Sequence, residues 1–209
     1  MKRLMIGIIA TLAFVAAAWA QTPEEILQKM DKAMEPAETQ GLSMAMDMKI
    51  PIIGTTTTML YMLGDKARSE TKVLKHLIIT FSDGVAEYEY DTVKNELVIK
   101  DAAPSDEGSE AELLSDITDG YDLILKKETA DAWHLQCKKS KTNNNKDDPS
   151  KMDLVVSKAT NLPVSLSTKV SGVRVTLRDV KIGIDPKLVT FDMADYPDAT
   201  IVDKRGEKK

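Results

Sequence analysis

Leu42-Ser43-Met44-Ala45-Met46-Asp47-Met48-Lys49-Ile50 changes character at every step. Leu42, Met44, Met46, Met48 and Ile50 fall on one face, and Ser43, Ala45, Asp47 and Lys49 on the other. A period of two marks a β-strand with one buried face. Pro51 and Gly54 form a turn, and Thr55–Leu63 follows as a second strand, so the stretch opens a hairpin.

Further strands follow in the same style. Arg68–Leu74 and Leu77–Phe81 make the next pair, with Lys75 and His76 near the bend. Asp83-Gly84 is a tight-turn signal ahead of Ala86, Tyr88 and Tyr90, and Glu96–Lys100 comes after a turn at Asp91–Asn95. Ala102–Ser109 reads as an acidic loop and Glu110–Ile117 as a short helix. Strands resume at Tyr121–Lys126, Trp133–Lys138, Met152–Lys158, Val164–Val170, Val173–Arg178 and Leu188–Met193, with polar Lys141–Ser150 intervening. About ten strands without βαβ alternation indicate an antiparallel sheet. The fold class is mainly β (α+β): one strongly curved antiparallel sheet.

Upstream, Thr22-Pro23-Glu24-Glu25 carries a hydroxyl cap, a first-turn proline and an acid three residues after the cap. Ile26, Leu27, Met30, Ala33 and Met34 then recur at helical spacing. Further upstream, Met1-Lys2-Arg3, the apolar run Leu4–Trp19 and the end Ala18-Trp19-Ala20 are the parts of a secretory signal. Cleavage after Ala20 is expected to take the first 20 of 209 residues, leaving 189 as one domain (21–209) in the periplasm. No cysteine lies near that point to be lipidated.

Composition narrows the function. Lys2 and Arg3 leave with the signal, moving the net charge from −5 to −7. That balance argues against a nucleic-acid binder. The single cysteine, Cys137, excludes an internal disulfide and a cysteine-built zinc site. His134 lies three residues from Cys137 on the same strand, so the two point to opposite faces, and a nucleophilic pair is disfavoured. No G-x-S-x-G turn, phosphate loop, H-E-x-x-H or dinucleotide fingerprint occurs. No catalytic residue, metal or cofactor is expected; Asp147-Asp148 suits solvated surface better than a weak calcium site.

Two short helices are little cover for so large an apolar face, which leaves a closed barrel or a lined cavity. Nine methionines remain after the signal, among them Met44, Met46, Met48, Met59 and Met62 on the first hairpin. Flexible, polarisable side chains suit an adaptable apolar lining, and equally serve as core filler.

Several strings together resemble the LolA family of periplasmic lipoprotein carriers. They are Pro23-Glu24-Glu25-Ile26-Leu27, Ile79-Thr80-Phe81-Ser82-Asp83-Gly84 with Tyr88-Glu89-Tyr90-Asp91, and Thr160-Asn161-Leu162-Pro163. Val189-Thr190-Phe191, Asp195-Tyr196-Pro197 and Ile201-Val202-Asp203-Lys204-Arg205 complete the order. The resemblance implies an incomplete barrel whose concave apolar face is lidded by helices. It also implies a soluble, monomeric chaperone that takes lipoproteins from an inner-membrane ABC release complex towards an outer-membrane acceptor.

On that reading the lipid-binding residues are Met44, Met46, Met48, Met59, Tyr61, Leu63, Leu77, Ile79, Phe81, Tyr88, Tyr90, Trp133, Leu135, Leu154 and Val156. Ile26, Leu27, Met30 and Met34 form the lid. Carriers of the family often bond an early-strand arginine to the lid, and Arg68 is the candidate here. The same fold also suits a periplasmic sensor or carrier of another amphiphile. A closed barrel acting as an interaction module is the remaining alternative.

Overall fold

The computed structural model describes residues 21–52, 54–102, 118–146 and 148–206. The signal segment 1–20, most of the acidic loop, the helix expected at 110–117 and Asp147 lie outside the described residues.

Helix α1 (Pro23–Met34) begins as its sequence dictates. The Thr22 hydroxyl accepts from the Glu25 amide at 3.2 Å, while the Thr22 amide donates to the Glu25 carboxylate at 3.1 Å. That reciprocal pair satisfies two amides that a helix start leaves open. One turn, α2 (Ala37–Gln40), follows, and Gly41 at φ 79° redirects the chain into β1 (Leu42–Ile50). A side chain at Gly41 would meet the Met62 carbonyl at 2.7 Å, so the junction needs glycine for both angle and space.

The remaining strands are β2 (Gly54–Leu63), β3 (Lys66–Val73), β4 (His76–Ser82), β5 (Ala86–Asp91), β6 (Glu96–Asp101), β7 (Tyr121–Glu128), β8 (Ala132–Lys139), β9 (Lys151–Ser157), β10 (Pro163–Val170), β11 (Val173–Ile182) and β12 (Thr200–Asp203). They form one curved sheet, not closed into a barrel, in the order β12-β6-β5-β4-β3-β2-β1-β11-β10-β9-β8-β7. Sequential hairpins build each half, and the β1–β11 ladder joins the halves.

Two expectations need correction. Leu188–Met193 is not a strand: Asp185 caps a 3₁₀ turn at Pro186–Val189, and Asp192 caps a second at Met193–Asp195. Their side chains pack against the sheet, with Val189 fully buried. The sheet also contains one parallel pair, because β12 returns beside β6 through this long connection.

Pairing shows how the core is divided. Residues opposite each other on adjacent strands share a face. Leu42, Met44, Met46 and Met48 therefore lie beside Met62, Leu60, Thr58 and Thr56 of β2. On the other side Met46 and Met48 lie beside Leu177 and Val175 of β11. That face continues through Leu166, Leu154 and Leu135. Beyond β2 towards β6 it turns polar, with Ser69, Thr80 and Glu89 in one row. The opposite face does the reverse: Tyr61, Phe81, Tyr88 and Ile99 form a largely apolar row at that end, interrupted by Arg68. One sheet thus carries two apolar surfaces, on opposite faces of its two halves.

Candidate functional site

Helix α1 covers the first surface. Ile26, Leu27, Met30 and Met34 are buried in one cluster with Leu42, Met44, Met62, Trp133, Leu135, Cys137, Met152, Leu154, Val156 and Leu166. The amphipathic spacing of α1 places these four side chains on one stripe facing the sheet. Towards the β1–β2 turn the same face runs past the cluster, where Met46, Met48, Val175 and Leu177 are only half-buried.

Of the expected lining, Met44, Met46, Met48, Trp133, Leu135, Leu154 and Val156 share this face with the lid residues. Met59, Tyr61, Leu63, Leu77, Ile79, Phe81, Tyr88 and Tyr90 do not. Register puts them on the other side of the sheet, where Met59 opposes Glu70, Ile79 opposes Tyr90, and Leu63 and Leu77 oppose Lys66 and Lys72. A single acyl chain beneath α1 cannot run along both sets. Met62 and Leu60 of β2, with Cys137, Met152 and Leu166, supply the missing part of the lining.

The second surface is already covered by the chain itself. Phe191 stacks on Tyr88 with centroids 4.0 Å apart and meets Phe81 edge-on at 5.6 Å, while Tyr196 packs on Tyr90 at 4.7 Å. Burial pushes the Tyr196 phenol above its ordinary pKa. A cleft of about 90 Å³ remains between Lys66, Phe81, Asp83, Tyr88 and Phe191. Ligand pockets usually exceed ~300 Å³, so this cleft is too small for an acyl chain.

Arg68 belongs to this second surface, not to the lid. Its guanidinium pairs with Glu70 at 2.6 Å, donates to the Leu188 carbonyl at 3.4 Å and lies over the Phe81 ring at 5.1 Å. It therefore clamps the C-terminal segment on the side of the sheet away from α1. The expectation that Arg68 gates the helical lid is corrected accordingly: its register opposite Tyr61, which in turn lies opposite Ser43, places it on the face away from α1.

No catalytic arrangement emerges among the described residues. Cys137 is fully buried, and burial raises its thiol to about 11, so little thiolate forms at neutral pH. His134 lies on the opposite face, paired with Val155. In the asparagine-rich loop, Asn143 and Asn145 each donate to the Asp148 carboxylate at 2.7 Å, and the Lys139 ammonium bonds the Asn145 and Asp148 carbonyls. The Asp148 carboxylate is thus engaged by amide donors of its own loop. No group of three metal-ligating side chains occurs among the described residues. None of the described helices is long and apolar enough to cross a membrane.

No family model matches the chain, and no curated protein matches it. Solved structures that align with it include an uncharacterized conserved protein from Thermus thermophilus, at 18% identity over 88% of this chain and 100% of that one, with a TM-score of 0.48. A LolA superfamily protein from Nitrosomonas europaea aligns at 13% identity over 83% and 99%, with a TM-score of 0.34. A putative outer membrane lipoprotein-sorting protein domain from Vibrio parahaemolyticus aligns at 12% identity over 84% and 97%, with a TM-score of 0.35.

Proposed function

We propose that this chain is a periplasmic binding protein for acyl chains, carried on the sheet face beneath α1. Its cargo is taken to be lipoproteins moving from an inner-membrane release complex to the outer membrane. The supporting observation is the construction of the lid: an amphipathic helix lying on an apolar face that extends beyond it. Four side chains, Ile26, Leu27, Met30 and Met34, seat α1.

Their burial is worth ~1.5–3 kcal/mol each, or ~6–12 kcal/mol together, and about ten methylenes at ~0.8 kcal/mol each match it. An acyl chain can thus replace α1 on the sheet at nearly equal free energy. Displacing the helix thus offsets much of what the acyl chain gains by burial, so the carrier does not outcompete a membrane and can give up its cargo. Methionines at Met30, Met34, Met44, Met62 and Met152 suit a surface that repacks against helix or lipid.

Met46 tests the reading because it lies on this face but is only half-buried. Met46→Lys is expected to cut binding of a fluorescent fatty acid at least tenfold while the far-ultraviolet spectrum is kept. Unchanged probe binding by the folded variant would remove the acyl chain from this face. A periplasmic carrier of a different amphiphile would use the same surface, and the identity of lipid extracted from the native protein distinguishes the two.

A further inference from the structure

The rim of the sheet farthest from α1 carries charge and apolar surface in a pattern that neither the core nor the lid uses. Lys49 of β1 is directly opposite Arg174 of β11, and Arg174 is directly opposite Lys169 of β10. One residue beyond the Thr168–Met152 pair the row reaches Lys151, which is opposite Lys138 of β8. Five exposed cations thus line up across five adjacent strands on the face away from α1, and Asp122 of β7, opposite Lys138, ends the row. At ~4.8 Å per strand the row is about 19 Å long.

Lys151 is neutralised by Asp153 at 3.2 Å, but Lys49, Arg174 and Lys169 have no carboxylate within salt-bridge distance among the described residues. Like charges set directly opposite one another repel, so an external anion beside Lys49, Arg174 and Lys169 would relieve this part of the row. The arrangement is also unexpected in a chain of net charge −5.

Apolar turn tips stand beside these cations. Ile52, at the β1–β2 turn next to Lys49, is fully exposed and sits at φ 73°, a conformation that a β-branched residue adopts only under strain. Val170, beside Lys169 at the neighbouring β10–β11 turn, is also exposed. Because β1 and β11 are adjacent, the two tips flank the Lys49–Arg174–Lys169 row.

We propose that this rim docks the protein on an anionic phospholipid surface, with Lys49, Arg174 and Lys169 on the phosphates and Ile52 and Val170 entering the interface. A phosphate plane offers the row its counter-ions, and the acyl boundary offers the two tips an apolar environment. An acidic protein segment would supply the charge but gives the two exposed aliphatic tips no defined place. The inference is independent of what occupies the face beneath α1.

Vesicle flotation of the mature chain tests it, using phosphatidylcholine alone and an equimolar mixture with phosphatidylglycerol. Flotation is expected only with the anionic vesicles, and it should vanish near 1 M salt, where the screening length is ~3 Å. The variant K49Q/K169Q/R174Q should bind them about 100-fold more weakly, from roughly fivefold per cation. Ile52→Ser should weaken binding while leaving the salt dependence intact. Wild-type protein that ignores anionic vesicles, or a triple variant that floats equally well, overturns the proposal. Thermal melts confirm that the variants fold, and fatty-acid binding by the triple variant keeps this result separate from the reading of α1.

Discussion

Asp47 shows how a single polar residue is accommodated in a strand with one apolar face. It lies on the face away from α1, where its carboxylate accepts from Arg178 Nε at 2.7 Å and from the Thr57 hydroxyl at 2.7 Å. The Arg178 hydrogen bond, chiefly, holds the Asp47 carboxyl below its ordinary pKa, against a smaller opposing effect of burial. A carboxylate with a lowered folded-state pKa stabilises the protein above its unfolded value of ~3.9 and loses that contribution as pH falls through the folded value. Asp83 adds to the same window, because amides of Ala86 and Val85 lower its pKa. Urea midpoints should therefore drop below about pH 4, and Asp47→Asn should flatten part of that slope while lowering stability at neutral pH. The bond between β1 and β11 could not be read from sequence, since Asp47 and Arg178 are joined only when distant segments pair.

Among the elements, α1 and β1 were the most legible and the opposition of faces was the least. The capping box, the first-turn proline and the 3.6-residue stripe all agree in α1, and the structure reproduces them. Thr22→Ala should cost ~1 kcal/mol in urea unfolding. Because it acts through the lid alone, it should also speed amide exchange in α1 before exchange in the sheet. The error in the candidate lining came from β2. Its four consecutive threonines, Thr55–Thr58, hide the period of two, and the β1–β2 turn fixes which methionine faces α1. Pairing of Ile50 with Gly54 brings Met62 and Leu60 under the helix and turns Met59 and Tyr61 away. A one-residue change in that turn would have reversed the assignment. The 3₁₀ turns at 186–195 were hidden for a similar reason, since Leu188, Val189 and Phe191 read as a strand when their packing partners are unknown.

At the scale of the whole molecule, the sheet solves the problem of covering twelve strands by changing its apolar side halfway. The C-terminal segment covers one half, through stacked aromatic rings and the Arg68 clamp. The other half is sealed by a short helix seated by four side chains. The first cover leaves a small cleft beside Phe191, whereas the second is, on the proposed reading, the cover that an acyl chain displaces. Curvature and a hydrophobic face were legible in the alternation of the strands; the switch of the apolar surface from one face to the other was not, because it depends on register across the whole sheet. The most direct test is organic extraction of the native protein purified from periplasm, followed by mass spectrometry, in parallel for wild type and Met46→Lys. Near-stoichiometric acylated lipid or lipopeptide from the wild type, and little from the variant, is the expected result. Wild-type protein that is free of lipid and fails to take up a fatty-acid probe would contradict an acyl-binding face beneath α1.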